Sequence, residues 1–95
     1  MKIRGIIWLD VYVEKLAAKH AVSQREIREV FNRGGTKFRF VENGHQENED
    51  VYAAMGRTEP GRFLIVFFVR KPEDKALVFS ARDMTNAERR RYEKK

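Results

Sequence analysis

The chain has 95 residues, 42% of them hydrophobic, with 20 Lys and Arg against 14 Asp and Glu for a formal net charge of +6. That length supports one modest core, so a single domain over 1–95 is expected, and the apolar content argues against global disorder. There is no cysteine, which removes disulfide frameworks and thiolate metal sites, while the excess of cations favours a nucleic acid or an acidic protein as partner.

Ile3, Ile6, Ile7, Trp8 and Leu9 open the chain as an apolar stretch, expected to be a short extended segment against the body. Asp10 can cap a helix running to about His20, with Val13, Leu16, Ala17 and His20 on one face. After a tight break at Ala21-Val22, Ser23 and Glu26 stand in capping-box spacing, and Val22 with Ile27 can staple it. This second helix shows Ile27, Val30 and Phe31 to the core and is expected to end at Gly34-Gly35.

The period then changes to two. Phe38 and Phe40 alternate with Lys37 and Arg39, as in a half-buried strand. Residues 43–50 are polar throughout and read as a loop; His45 there, with Glu47, Glu49 and Asp50, reads as solvated rather than as a metal site. Residues 51–55 form a second strand, and Glu59-Pro60-Gly61-Arg62 suits a type II turn. Residues 63–69 are apolar on both faces, hence a central strand, and far too short to span a membrane. With no segment reading as a signal peptide, a cytoplasmic location away from membranes is expected.

Lys71-Pro72-Glu73-Asp74 turns the chain into a last strand, 76–82, with Leu77, Phe79 and Ala81 facing one way and Val78, Ser80 and Arg82 the other. Thr85 and Glu88 then repeat the capping-box spacing and open a basic helix. From residue 82 onward Arg82, Arg89, Arg90, Arg91, Lys94 and Lys95 face only Asp83, Glu88 and Glu93. A strand that delivers Arg82 to the mouth of a basic helix is well placed to hold a polyanion. The expected fold is α+β: two N-terminal helices, a four-stranded antiparallel meander with the helices on one face, and a C-terminal basic helix.

Ser80-Ala81-Arg82, then Thr85, then Glu88-Arg89-Arg90-Arg91-Tyr92-Glu93, resembles the C-terminal signature of BrnT-type toxins. Trp8, the Lys19-His20 pair, Val22-Ser23, Glu26 and Val30-Phe31 follow that family's W…KHGVS-x-x-E…VF order, and Gly56 and Gly61-Arg62 fit as well. The resemblance covers nearly the whole chain, carried by order and spacing rather than by any single motif. The chain departs from it at Tyr12, Leu16, Val51 and Phe68-Val69, where the family often has polar side chains. The resemblance implies a fold like that of RelE-type ribonucleases and RNA cleavage that stops translation. It also implies neutralisation by a ribbon-helix-helix antitoxin in a toxin–antitoxin hetero-oligomer.

Metal-free RNA cleavage needs a base for the ribose 2′-hydroxyl, cations for the charge developing on phosphate, and an acid for the leaving oxygen. Arg82 is the first candidate for the cation; its alternative is a structural salt bridge to Glu26, Glu29 or Glu88. Arg57 and Arg62 flank the Pro-Gly turn and Arg70 ends the central strand, each a phosphate contact or a solvated arginine. His20 suits a general base, or is a core histidine on the apolar face of its helix, while Lys19 on the polar side is a candidate RNA contact. Glu26 is occupied by its capping box, which leaves Glu29 as the freer carboxylate. Tyr92, four residues after Glu88 on one helical face, can stack on a base, donate a proton or anchor its helix.

The expected catalytic set is therefore Arg82, His20, Glu29 and Tyr92. The expected RNA-binding set is Lys19, Arg57, Arg62, Arg70, Arg89, Arg90 and Lys94, and neither cofactor nor metal is expected. The competing reading is a non-catalytic basic domain that binds RNA or an acidic protein.

Overall fold

The computed structural model describes residues 1–44 and 49–94. His45 and Glu47 lie outside the described residues; from the same loop, Glu49 pairs with Lys71, and the Asp50 carboxylate accepts from the Gly44 amide at 3.3 Å. The described residues form a mixed sheet of β1 (Gly5–Ile7), β2 (Lys37–Glu42), β3 (Val51–Arg57), β4 (Phe63–Lys71) and β5 (Lys75–Asp83), in the order β1-β5-β4-β3-β2. Three helices accompany it: α1 (Asp10–His20), α2 (Gln24–Asn32) and α3 (Asn86–Glu93).

The antiparallel meander is as expected, but β1 adds a fifth strand, parallel to β5 with Gly5 opposite Lys75 and Ile7 opposite Leu77. Three residues are too few to show an alternation, and the partner strand lies at the other end of the chain, so nothing local announces the pairing. The central place of β4 follows from its two apolar faces. Leu64, Val66 and Phe68 are buried on one side and Ile65 on the other.

Those two sides carry different layers. Leu16 of α1 and Val22, Ile27 and Val30 of the second helical segment pack on Ala54, Leu64, Val66, Phe68, Ala76, Val78 and Ala81. Phe68 anchors this core, with ring centroids of Phe31, Phe38 and Tyr52 at 5.4, 6.1 and 6.0 Å, each aromatic pair worth about 1 kcal/mol beyond burial. On the opposite face, Ala53, Met55 and Ile65 are covered by Phe67, Met84 and Tyr92 of α3. The helices therefore divide between the faces instead of sharing one, which puts α3 alone over its side of the sheet.

A bulge in β5 sets which side chains reach that side. Phe67 pairs with Ser80 but Phe68 with Val78, so Phe79 is the extra residue. Ala76, Val78 and Ala81 consequently share the α1–α2 side, where strict alternation separated Val78 from Ala81. Ser80 and Arg82, opposite Phe67 and Ile65, turn to the α3 side.

Local signals explain the helices, with corrections. Both capping boxes form: the Ser23 hydroxyl accepts from Glu26 N and the Thr85 hydroxyl from Glu88 N, each with the reciprocal bond. Asp10 is the first helical residue rather than the cap, which is Leu9, so it acts on the helix dipole. Of the four residues expected on the apolar face of α1, Leu16 is buried and Val13 half-buried, while Ala17 and His20 are exposed, because α1 rests on β5 near the sheet's edge. α2 stops at Asn32, before the glycines. The β3–β4 hairpin closes one residue earlier than a type II turn at 59–62. Thr58 N donates to Arg62 O and Gly61 N to Thr58 O, both at 2.9 Å, with Gly61 at φ +105°, where glycine is tolerated.

Candidate active site

The α3 side of the sheet gathers cations from three strands and a helix. Arg57 at the end of β3 and Arg89 of α3 bring their guanidinium carbons to 4.7 and 4.0 Å from the centroid of Phe63, the first residue of β4. Tyr92 meets the same ring edge-on at 6.0 Å. Arg82 lies 5.5 Å from the Phe67 centroid. Lys37, opposite Met55 across β2–β3, stands 5.5 Å over Tyr92 and donates to the carbonyls of Tyr92 and Lys94 at 2.5 and 2.6 Å, capping the end of α3. Arg39, opposite Ala53, extends the row. The result is an aromatic floor with guanidinium and ammonium groups on it, a composition suited to phosphates and bases together.

Arg82 is held on one edge only. Its NH1 and NH2 donate to Glu88 Oε1 at 2.7 Å and Oε2 at 3.0 Å, and NH1 donates again to Asp83 O at 3.2 Å. A guanidinium has five N–H groups, so Nε–H and one NH2 hydrogen remain on the other edge. That edge matches two oxygens of a phosphate. The pair raises the Arg82 pKa and, chiefly through the Arg82 hydrogen bond, depresses Glu88 to about 2. Of the three carboxylates the sequence offered as partners for Arg82, the structure selects Glu88.

Arg62 is the opposite case. Nε donates to Asp83 Oδ1 (2.7 Å), NH1 to Ala21 O (2.8 Å) and Glu26 Oε2 (2.9 Å), and NH2 to His20 O (3.1 Å) and Asp83 Oδ2 (3.1 Å). All five donors are used, and they tie the end of α1, the start of α2 and the end of β5 together. The Asp83 hydrogen bond leads in raising the Arg62 pKa. Burial opposes ionisation of Glu26 most strongly, yet the Ser23 amide and Arg62 hold its carboxyl below the ordinary value. Asp83 is likewise lowered, first by Arg62 and least by the nearby charge of His20.

The remaining expected residues scatter. His20 is exposed at the end of α1, beside Asp83, rather than in the core. Glu29, on the other side of the sheet, accepts from Glu59 N at 3.0 Å and Arg25 Nε at 3.2 Å, so it secures the hairpin. Arg70 sits at the far end of β4 and pairs with Asp74 at 2.7 Å. It is seven residues from Phe63, about 24 Å at strand rise. Lys19, Arg90 and Lys94 are exposed, Arg90 on α3 and Lys94 just past its end. Tyr92 is half-buried, its hydroxyl 4.0 Å from where a Cβ on Gly35 would stand. Sequence reasoning left out Lys37 and Arg39 as site residues, although their alternation with Phe38 and Phe40 already put them on one face. Among the described residues no three His, Cys, Asp or Glu side chains converge as a metal site requires, and no helix is long and apolar enough to cross a membrane.

Comparison with known proteins bears on the fold and the family. The crystal structure of the Brucella abortus ribonuclease toxin BrnT, determined at 1.1 Å, superposes with a TM-score of 0.62 at 17% identity, covering 86% of this chain and 97% of that one. Among proteins of curated function none matches. The family described as the ribonuclease toxin BrnT of type II toxin–antitoxin systems matches residues 8–88, most of the chain including β5 and Glu88. The chain belongs to the BrnT family of ribonuclease toxins.

Proposed function

We propose that this toxin is an endoribonuclease that cleaves RNA through the ribose 2′-hydroxyl, without a metal, on the α3 side of its sheet. The observation that carries the reading is the half-engaged guanidinium of Arg82: fixed along one edge, open along the other, among Arg57, Arg89 and Lys37. Arg82 takes the charge that develops on phosphate, where a prepositioned donor gains most. Arg57 and Arg89 hold neighbouring phosphates or bases, with Arg90 and Lys94 extending contact along the strand. Tyr92 is a proton-carrying side chain on this face, and His20 offers an imidazole beside Asp83, with the Lys19 ammonium next to it in sequence. Arg62, Arg70 and Glu29 are left out of the reacting set, because their donors or acceptors serve the fold.

A ribbon-helix-helix antitoxin, forming a hetero-oligomer with the toxin, neutralises it by covering this cationic face. Induced expression in a bacterium arrests growth and degrades RNA, and co-expressed antitoxin relieves both. In vitro the products end in cyclic phosphate, and excess chelator leaves the rate unchanged. Arg82→Ala lowers turnover by roughly two to three orders of magnitude, with RNA affinity changed far less. Intact RNA at high expression of folded protein overturns the enzymatic reading in favour of a non-catalytic RNA-binding domain; dependence on metal overturns the mechanism.

A further inference from the structure

The carboxylate that grips Arg82 belongs to the first turn of α3, and it serves two partners at once. Glu88 Oε1 accepts from Thr85 N at 2.8 Å, closing the capping box, and from Arg82 NH1 at 2.7 Å, while Oε2 accepts from Arg82 NH2 at 3.0 Å. Glu88 is therefore fixed by its own helix start, and Arg82 is fixed by Glu88. A long arginine side chain ordinarily explores many rotamers, and this one is stopped in a single plane, with the Phe67 ring 5.5 Å from its guanidinium carbon. Capping alone needs neither the second carboxylate oxygen nor the negative charge, because glutamine serves equally well at that position.

We propose that Glu88 is a positioning residue for RNA cleavage: its carboxylate aims the open Nε–NH2 edge of Arg82 at the scissile phosphate. The proposal rests on the reading of Arg82 as the cation that meets that phosphate. A glutamine at 88 presents a single acceptor oxygen and turns an amide toward one guanidinium nitrogen, so the two-point grip is lost while the cap survives. The guanidinium then finds the productive orientation only part of the time, and misplacement of a reacting group on this scale costs up to about 100-fold in rate.

The test is steady-state and single-turnover cleavage of a single-stranded RNA by Glu88→Gln, Thr85→Ala, Arg82→Ala and the Arg82→Ala/Glu88→Gln double variant, each with a melting curve. Glu88→Gln is expected to lower kcat about 10- to 100-fold with KM within about twofold, and to lower the melting temperature only by what the ion pair contributes. Thr85→Ala, which removes the cap and keeps the carboxylate, melts earlier but retains kcat. With Ala at 82, the further change at 88 has no additional effect, since the two residues act as one unit. The proposal is overturned if Glu88→Gln keeps full kcat, if it acts equally with and without Arg82, or if Thr85→Ala loses as much turnover. If Glu88→Gln proves unstable, the Thr85→Ala result decides between cap and charge. Arg82→Ala cleaving like the parent overturns the underlying role of Arg82, an outcome separate from any result at 88.

Discussion

Arg62→Ala removes more from this fold than a surface arginine normally can. It strips three hydrogen bonds to carboxylates and two to main-chain carbonyls, all from a side chain only 27% exposed. Counting each at full strength overshoots, because the Asp83 side chain is 64% exposed and turns to water when released, so its pair ranks with surface ion pairs of about 0.2–1 kcal/mol. Glu26, at 26% exposure, keeps its Ser23 partners but loses its cation. The balance is about 2–3 kcal/mol, which for a domain of this size lowers the melting temperature by roughly 10–20 °C. The assay is thermal and urea unfolding of Arg62→Ala beside Arg57→Ala. Arg57, on the same hairpin, makes no side-chain hydrogen bond among the described residues and keeps only its contact with the Phe63 ring, so its loss stays within about 1 kcal/mol. RNA affinity, measured well below the melting transition, is near the parent's for Arg62→Ala and weaker for Arg57→Ala. An Arg62→Ala protein melting within about 3 °C of the parent, or folded yet unable to bind RNA, refutes the assignment of this side chain to the fold.

Ala21→Gly is expected to stabilise the protein by about 1 kcal/mol, because Ala21 ends α1 in the left-handed region at φ 51°, and a melting curve checks it. Glu88 is held near 2 in the fold and returns to its ordinary 4.5 on unfolding, so the unfolded chain takes up the proton first as pH falls. The stability it contributes is complete above about 4.5 and is lost between there and about 2; urea titrations across that window show a shallower acid slope for Glu88→Gln. Arg90→Ala with Lys94→Ala weakens RNA binding and flattens the log–log salt slope by about 1.4, the contribution of two phosphate contacts on a single strand, measured by fluorescence anisotropy at several salt concentrations.

What the sequence disclosed was whatever is encoded locally. The two capping boxes and the apolar β4 are stretches of a few residues whose chemistry admits one geometry, and each appears where expected, while the hairpin glycine takes a positive φ in a turn that closes one residue earlier. What stayed hidden was decided across the chain. The partnership of β1 with β5 joins opposite ends of the sequence, and the bulge at Phe79 leaves no mark in a run of apolar residues, yet it sorts Val78 from Arg82. The roles of the arginines were illegible for the same reason. Arg62 precedes one apolar strand and Arg82 lies at the end of another, and only the count of free N–H groups in three dimensions separates a clamp from an open edge.

The departures from the family pattern bear on whether the site still works, and their places in the fold answer to different layers. Leu16 and Phe68, two of the positions where the chain departs from the resemblance, are buried on the α1–α2 side, under the sheet from Arg82. Phe68 joins three other rings there. Val51 and Val69 are paired with each other, four residues along β4 from Ile65, the partner of Arg82, or about 14 Å at strand rise. Tyr12 lies on α1, also away from the α3 side. None of these positions replaces a member of the cationic row. That row remains costly to the isolated protein: Lys37, Arg57, Arg82 and Arg89 repel one another, and the carboxylates paired with them there are Glu88 and Glu93. An anionic ligand at the open edge of Arg82 is expected to relieve that repulsion. Leu16 and Phe68 thus belong to the packing on one side of the sheet, and the row of cations to the other.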